Sequence, residues 1–459
     1  MKKPLRLLVI GGVAAGTKAA SKARREDPSM EITIITDEKY ISYAGCGLAY
    51  YIGGVVEKRD DLFARSPDIF REKQNIKILL EHRAERIDTY DRVVHVTNIA
   101  SGSTFALPYD KLLIATGASP VIPTIEGVYL RGIFTLNNVT DADSIKAYLA
   151  DNPVGNVCIV GGGYIGVEMA ENLVKTGASV TIFEIEDNVI PKMFDPDISV
   201  LIREHMESKG VRIVTGTAVE KFLGDNGEKV RAAVTGGVEY ECGMVILAAG
   251  VMPNITLAKQ ANITIGPTGA IQVDNYMQTS TRGIYAAGDC AESTHLVSGN
   301  SSWVPLGSTA NKQGRVAGAN IAGGRKKFPG ILGSAIVKVF DLAVGRTGLN
   351  EREAKEAGFN PVSVTVTTPV RAGYYPGGGM VTLKLTADRA SMKLLGAQAV
   401  GDSSVDKVID TIAAALTGKI TVPDLVNLDI SYSPPYAAVL GTVIVAAGVL
   451  EGKIEGITF

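Results

Sequence analysis

The sequence predicts an α/β fold: two doubly wound units of parallel strands and helices, one nested inside the other, followed by a smaller α+β module. Three observations carry this expectation. The run Arg6-Leu-Leu-Val-Ile with the turn Gly11-Gly-Val-Ala-Ala-Gly16 recurs 150 residues later as Val157-Cys-Ile-Val with Gly161-Gly-Gly-Tyr-Ile-Gly166. Each copy is followed by a helix pattern and a second strand ending in an acid: EITIITD closes on Asp37 and SVTIFE on Glu184. Beyond residue 326 the pattern changes, and VSVTVTT (362–368) and MVTLKLTA (380–387) alternate with a period of two. LLGAQAVG follows, then an amphipathic helix pattern over 403–419. That is an antiparallel sheet with helices on one side.

Strand, glycine turn and helix in this order make a Rossmann-like dinucleotide site. The first glycine (Gly11, Gly161) makes the tight turn. A close backbone then lets a pyrophosphate approach free N–H groups at the helix N-terminus, where the helix dipole favours negative charge. The closing acid accepts hydrogen bonds from ribose hydroxyls, and it arrives 26 residues after Gly11 and 23 after Gly161. In the first copy Val13 replaces the middle glycine, whereas the second keeps Gly163. Further segments complete the units. Tyr109-DKLLIATGASP is a strand ending in Thr116-Gly117, Thr281-RGIYAAGDCAE carries Gly288 and Asp289, and Met244-VILAAG reaches Gly250. Their order sets the expected division: a first unit from 1–118 and 252–325, a second inserted at 119–251, and an interface module at 326–459. Two dinucleotide sites in one chain imply two cofactors that exchange electrons.

Composition narrows the function classes. A chain of 459 residues with 46% hydrophobic side chains can bury several cores. A formal net charge of −2, spread along the chain, excludes a basic nucleic-acid stripe and an acidic tail. The opening run Leu5–Ile10 is too short for a signal peptide and ends in a glycine turn, so it reads as a buried strand. The apolar stretch Tyr436–Leu450 is 15 residues, short of the ~20 that span a bilayer, and reads as a core or interface helix. No membrane contact is expected. Four cysteines (Cys46, Cys158, Cys242, Cys290) lie far apart without a CxxC, and the four histidines have no ligand spacing. This predicts no metal, no disulfide framework and a cytoplasmic protein with reduced thiols. Cys158, Cys242 and Cys290 sit in strand patterns and read as core residues. Cys46, in Ser42-Tyr-Ala-Gly-Cys-Gly-Leu48, lies between glycines and reads as a reactive thiol.

These residues resemble the pyridine nucleotide–disulfide oxidoreductase superfamily, over essentially the whole chain. The match is to its single-cysteine branch, which holds coenzyme A disulfide reductases, NAD(P)H polysulfide or persulfide reductases, NADH oxidases and NADH peroxidases. The residue five after Cys46 is Tyr51, so the CxxxxC pair of two-cysteine members is missing. The resemblance implies an FAD site at Gly11, Gly12, Gly16, Asp37, Thr116, Gly117, Gly288, Asp289, Thr309 and Ala310. It implies an NAD(P)H site at Gly161, Gly163, Tyr164, Ile165, Gly166, Glu168, Glu184 and Gly250, with Tyr164 gating access to the flavin. Ala14 stands where oxidases and peroxidases place a histidine, which favours the coenzyme A disulfide branch. In that branch two interface-domain tyrosines act across the dimer, and Tyr374 and Tyr432 match them. Lys22, Arg25 and Ser42 match positions that bind coenzyme A. Ala49 and Gly45 depart from the usual proline and asparagine, and AAVLGTVIVAAGVL after Tyr436 departs from the usual polar stretch.

The implied activity is NAD(P)H-driven reduction of coenzyme A disulfide, coenzyme A persulfide or polysulfide through Cys46. An NADH oxidase cycling through a sulfenic acid is the alternative, and a nucleotide-sensing interaction protein the third reading. Glu184 should repel a 2′-phosphate, so NADH is expected as donor, with NADPH left open. A thiol of ordinary pKa is a few per cent thiolate at neutral pH. The segment after Cys46 is expected to open a helix whose N-terminus supplies part of the lowering of that pKa, with flavin contact supplying the rest, and Tyr374 and Tyr432 to donate to the leaving thiolate. The implied assembly is a homodimer, with a dimer of dimers left open.

Overall fold

The computed structural model describes residues 3–402 and 404–457. The first unit is a parallel sheet in the order Ile284–Ala286, Lys111–Ile114, Arg6–Ile10, Glu31–Ile35, Ile76–Leu79. The second repeats the plan with Arg212–Val214, Ser179–Phe183, Asn156–Val160, Met244–Leu247 and Ile133–Thr135. The central strands are continuous apolar runs because both faces are covered, as parallel sheets require. Strand Ile284–Ala286 joins the first sheet although it follows the whole second unit in sequence, which is the predicted nesting. The chain crosses between the units on an antiparallel ribbon, Ala118–Pro120 against Val251–Pro253.

The two glycine turns are built alike. At Gly11 (φ +111°) and Gly161 (φ +109°) an added Cβ would lie 2.0 and 2.2 Å from the carbonyl oxygens of Ala115 and Ala248. At Gly16 and Gly166 it would lie 2.0 Å from the carbonyl oxygens of Gly11 and Gly161. Only glycine lets helices Ala14–Glu26 and Tyr164–Lys175 sit this close to the preceding turn.

The C-terminal module is a five-stranded antiparallel sheet, ordered Ala335–Val339, Leu342–Gly348, Leu394–Gly401, Met380–Asp388, Pro361–Pro369. Its period-two pattern sorts Val381, Leu383, Leu385, Ala397 and Ala399 onto one face, under helices Val405–Thr417 and Thr442–Glu455. The opposite face meets the second unit. The first of these helices lies within the predicted 403–419, of which Ser403 is outside the described residues. The predicted 436–450 helix starts only at Thr442, and Tyr436, Val439 and Leu440 are exposed in irregular chain before it. Gly441 caps that helix in an extended conformation, which stops it from reaching back further. Among the described residues no helix is long and apolar enough to cross a membrane.

Candidate active site

Both glycine turns open into one continuous cleft of about 2140 Å³. Cys46 lies on its wall, in a short 3-10 turn Gly45–Gly47 that leads into helix Leu48–Ile52. Of the four free cysteines it alone is exposed, and Cys158, Cys242 and Cys290 are buried, as their strand patterns predicted. The helix after Cys46 is present but runs only five residues, and Cys46 precedes its N-cap, Gly47.

The protein groups around the thiol oppose the lowering expected from the helix start. Partial burial between the cleft walls, then the nearby carboxylates of Glu168 and Asp289, push the Cys46 thiol above its ordinary value. No basic side chain contributes an opposing effect, and so short a helix supplies little dipole. The protein's own groups therefore shift Cys46 toward the thiol form, with a backbone hydrogen bond acting the other way. Burial also raises Asp289 to about 6 and lifts Glu168, whose Oε1 accepts a hydrogen bond of 3.0 Å from the Tyr50 hydroxyl.

The residues around the cleft fit two dinucleotides. Helices Ala14–Glu26, Tyr164–Lys175 and Gly307–Ile321 present their first turns to it, and none has a side-chain N-cap. A fourth helix that opens on the cleft, Val139–Asp151, is instead closed by its own capping box. Free N–H groups at the three uncapped ends suit phosphate oxygens. Cβ atoms added at Gly163, Gly250 or Gly307 would meet nothing within 4 Å, so these positions face open space. The Tyr164 hydroxyl is buried without a partner among the described residues, and burial pushes its pKa up to about 12. Such an orphan donor beside a glycine turn awaits a ligand group.

The predicted site residues separate into groups. Gly11, Gly12, Asp37, Thr116, Gly117, Gly288, Asp289 and Ala310 line the first unit's part of the cleft, and Gly161, Gly163, Tyr164, Ile165, Glu168, Glu184 and Gly250 the second's. Gly16, Gly166 and Thr309 lie behind this lining. Lys22 pairs with Glu26 one turn on, Arg25 is exposed, and Ser42 (φ +55°) is held through its backbone by Gly12 and Ala64. None of the three faces the cleft of a single chain. Tyr374 and Tyr432 also stand outside it, 77% and 46% exposed, and a mutual hydrogen bond raises the Tyr432 hydroxyl.

One equivalence needs correction. Gly11 N donates to Ile35 O and Gly161 N to Phe183 O, both at 2.8 Å, so the counterpart of Glu184 is Thr36 and not Asp37. The first strand ends at Ile35, Thr36 is buried, and Asp37 is exposed one step further round the turn. Glu184 is buried, and its two carboxylate oxygens accept from Gly162 N (2.7 Å) and Glu186 N (3.0 Å). It braces its own glycine turn.

The sequence also left unmarked Glu38, which lines the cleft, and Tyr50, which bonds the cleft-lining Glu168 from behind. Tyr50 follows Cys46 by four residues, one helical turn, and that spacing was a usable signal. Glu38 accepts from the Tyr43 hydroxyl at 3.1 Å and is raised to about 7 by burial. Nothing in its spacing marked it.

Two uncapped glycine-turn helices and a single accessible thiol on one cleft define a two-nucleotide thiol oxidoreductase. The chain belongs to the pyridine nucleotide-disulphide oxidoreductase family, whose profile matches residues 5–314, and the family's dimerisation domain matches 334–444. It is 40% identical to an NAD(P)H coenzyme A polysulfide/persulfide reductase of Pyrococcus horikoshii, over 98% of this chain and 99% of that one. It is 37% identical to an NADH oxidase of Methanocaldococcus jannaschii, over 95% and 96%. The solved NAD-dependent persulfide reductase of A. fulgidus superposes with a TM-score of 0.96 at 43% identity, covering 99% of this chain and 84% of that one.

Proposed function

We propose that this chain is an FAD-dependent NADH oxidoreductase that reduces a sulfur–sulfur bond in coenzyme A disulfide, coenzyme A persulfide or polysulfide, with Cys46 as its one redox thiol. The observation that carries the reading is the isolation of Cys46: it is exposed on the cleft between the two glycine turns, while the other three cysteines are buried. A partner sulfur must therefore arrive with the substrate. Residues 1–118 with 252–325 form the FAD unit, 119–251 the NADH unit and 326–459 the dimerisation module of a cytoplasmic homodimer.

Bound FAD would supply the two-electron link between NADH and sulfur. The uncapped ends of helices Ala14–Glu26 and Gly307–Ile321 would hold its phosphates, with Gly288 and Asp289 alongside. The end of helix Tyr164–Lys175 would hold the NADH pyrophosphate and Glu184 its ribose, with Tyr164 covering the nicotinamide side. Cys46, once a thiolate, attacks one sulfur of R–S–S–R; a Cys46–S–S–R bond forms and R–S⁻ leaves. Two electrons then cleave that mixed disulfide, releasing the second R–S⁻ and regenerating the Cys46 thiolate. Tyr374 and Tyr432, side by side on the exposed face of the dimerisation module, protonate the leaving thiolate from the other subunit. Lys22, Arg25 and Ser42 contact the coenzyme A portion outside the cleft.

The test is anaerobic steady-state turnover with NADH against coenzyme A disulfide, polysulfide and small disulfides, with oxygen as a separate acceptor. Preference for a sulfur acceptor supports the reading. Oxygen turnover faster than every sulfur acceptor would replace it by an NADH oxidase.

A further inference from the structure

Four polar residues stand in one row across four strands of the C-terminal sheet, on the face turned away from its helices. Arg346 is in register with Gln398, Gln398 with Lys384, and Lys384 with Thr365. All four reach across to the second unit. Gln398 donates to Asp195 Oδ2 (2.6 Å) and accepts from Asp195 N (2.7 Å). Lys384 pairs with Asp195 (3.1 Å) and Asp197 (2.8 Å), and Thr365 donates to Asp197 (3.2 Å). Arg346, 4% exposed, donates to the backbone carbonyl of Met193 at 2.8 Å, and its two amino groups also reach Gly348 O (2.7 Å) and the Glu353 carboxylate.

The segment these residues grip is a wall of the cleft. Ile190, Pro191, Lys192 and Met193 line it, four residues on from Glu186. Its near end is tied to the second glycine turn, where Ile190 N donates to Gly162 O at 2.9 Å and Ile190 takes a left-handed φ of +50°. Its far end is tied to the C-terminal sheet through Asp195. Arg346 is the member of the row that hydrogen-bonds a cleft-lining residue, and its charge, with that of Glu353, acts on the buried Tyr164 hydroxyl.

We propose that Arg346 is a positioning residue for NADH: from the C-terminal module it fixes the Ile190–Met193 wall against Tyr164 and so sets the width of the nicotinamide side of the second unit. The proposal rests on the reading that NADH binds that unit. A planar guanidinium suits the task, because it satisfies a carboxylate and two carbonyls at once while staying charged, which a lysine ammonium cannot match. The consequence is that NADH affinity depends on a module that contributes nothing to the glycine turn itself.

The experiment uses the full-length, FAD-loaded protein and follows flavin reduction at increasing NADH in a stopped-flow instrument. Arg346→Gln is expected to raise the half-saturating NADH concentration about tenfold, the size of one lost charge-assisted hydrogen bond, with the limiting rate unchanged. Lys384→Met loosens the same joint without touching a cleft-lining residue, and is expected to lower thermal stability while leaving the NADH dependence unchanged. Arg346→Lys retains a buried positive charge opposite Glu353, so it folds where Arg346→Gln does not, and is expected to show the same rise. A wild-type NADH dependence in Arg346→Lys or Arg346→Gln overturns the proposal, as does an equal rise in Lys384→Met, which would make Arg346 a domain staple only. Glu184→Ala separates the two claims. If it raises the NADH requirement and the Arg346 variants do not, only the positioning role fails; if it has no effect, the second-unit NADH site fails.

Discussion

The Tyr50 hydroxyl donates to Glu168 Oε1 at 3.0 Å, joining the short helix that follows Cys46 to the helix that follows the second glycine turn. The contact sets a negative group beside the thiol and ties the thiol's own helix to it. Removing that charge must help the thiolate. Glu168→Gln is expected to lower the Cys46 pKa, so that iodoacetamide modifies Cys46 faster at pH 7, by up to about tenfold, one pKa unit's worth. Tyr50→Phe acts in the same direction with a smaller effect, because Glu168 without its donor holds a proton to higher pH. The pH profile of Cys46 alkylation, followed by mass analysis, checks both; a slower reaction in Glu168→Gln contradicts the electrostatic account.

Arg6 and Asp110 tie the first strand to the start of strand Lys111–Ile114 through a paired contact at 3.0 Å. The Arg6 hydrogen bond is the main cause that depresses the Asp110 carboxyl to about 2. A carboxyl depressed on folding stabilises above its unfolded pKa near 4, and that contribution is lost as pH falls through the folded value. The pair is 30% exposed on both sides, and solvent screening leaves about 1 kcal/mol of it. Arg6→Gln should therefore melt below the wild type at pH 7, and thermal scans should show the gap closing between about pH 4 and pH 2.

Tyr374 and Tyr432 touch each other on the exposed face of the dimerisation module, away from the cleft of their own chain. If they serve the partner's Cys46, the double variant Tyr374→Phe with Tyr432→Phe loses coenzyme A disulfide turnover by about a hundredfold, the scale of a general acid. Flavin reduction by NADH keeps its rate. Loss of both activities together would point to a broken dimer instead, which sedimentation would reveal.

Much of this was legible in the sequence because it is local. A strand, a glycine turn and a helix span some twenty residues, and the repeat of Gly11–Gly16 at Gly161–Gly166 exposed both nucleotide units. The reactive cysteine was marked by its glycine neighbours, and the buried ones by strand patterns. What stayed hidden depends on distances that sequence does not carry. Period two placed Arg346, Gln398 and Lys384 on one face of their strands, but not the acidic segment 195–197 opposite them. Asp37 was matched with Glu184 because both follow an apolar strand; the hydrogen bonds of Gly11 and Gly161 move the match to Thr36. The carboxylates beside the thiol were hidden for a similar reason. A helix start was visible after Cys46, whereas Glu168 and Asp289 come from segments more than a hundred residues away.

The central claim is that one thiol carries the sulfur chemistry. Cys46→Ser, prepared with FAD and assayed without oxygen, tests it most directly by comparing NADH-dependent flavin reduction with turnover of coenzyme A disulfide and polysulfide. The account predicts flavin reduction at the wild-type rate and sulfur turnover at the level seen without enzyme. Sulfur turnover at the wild-type rate in that variant would contradict it.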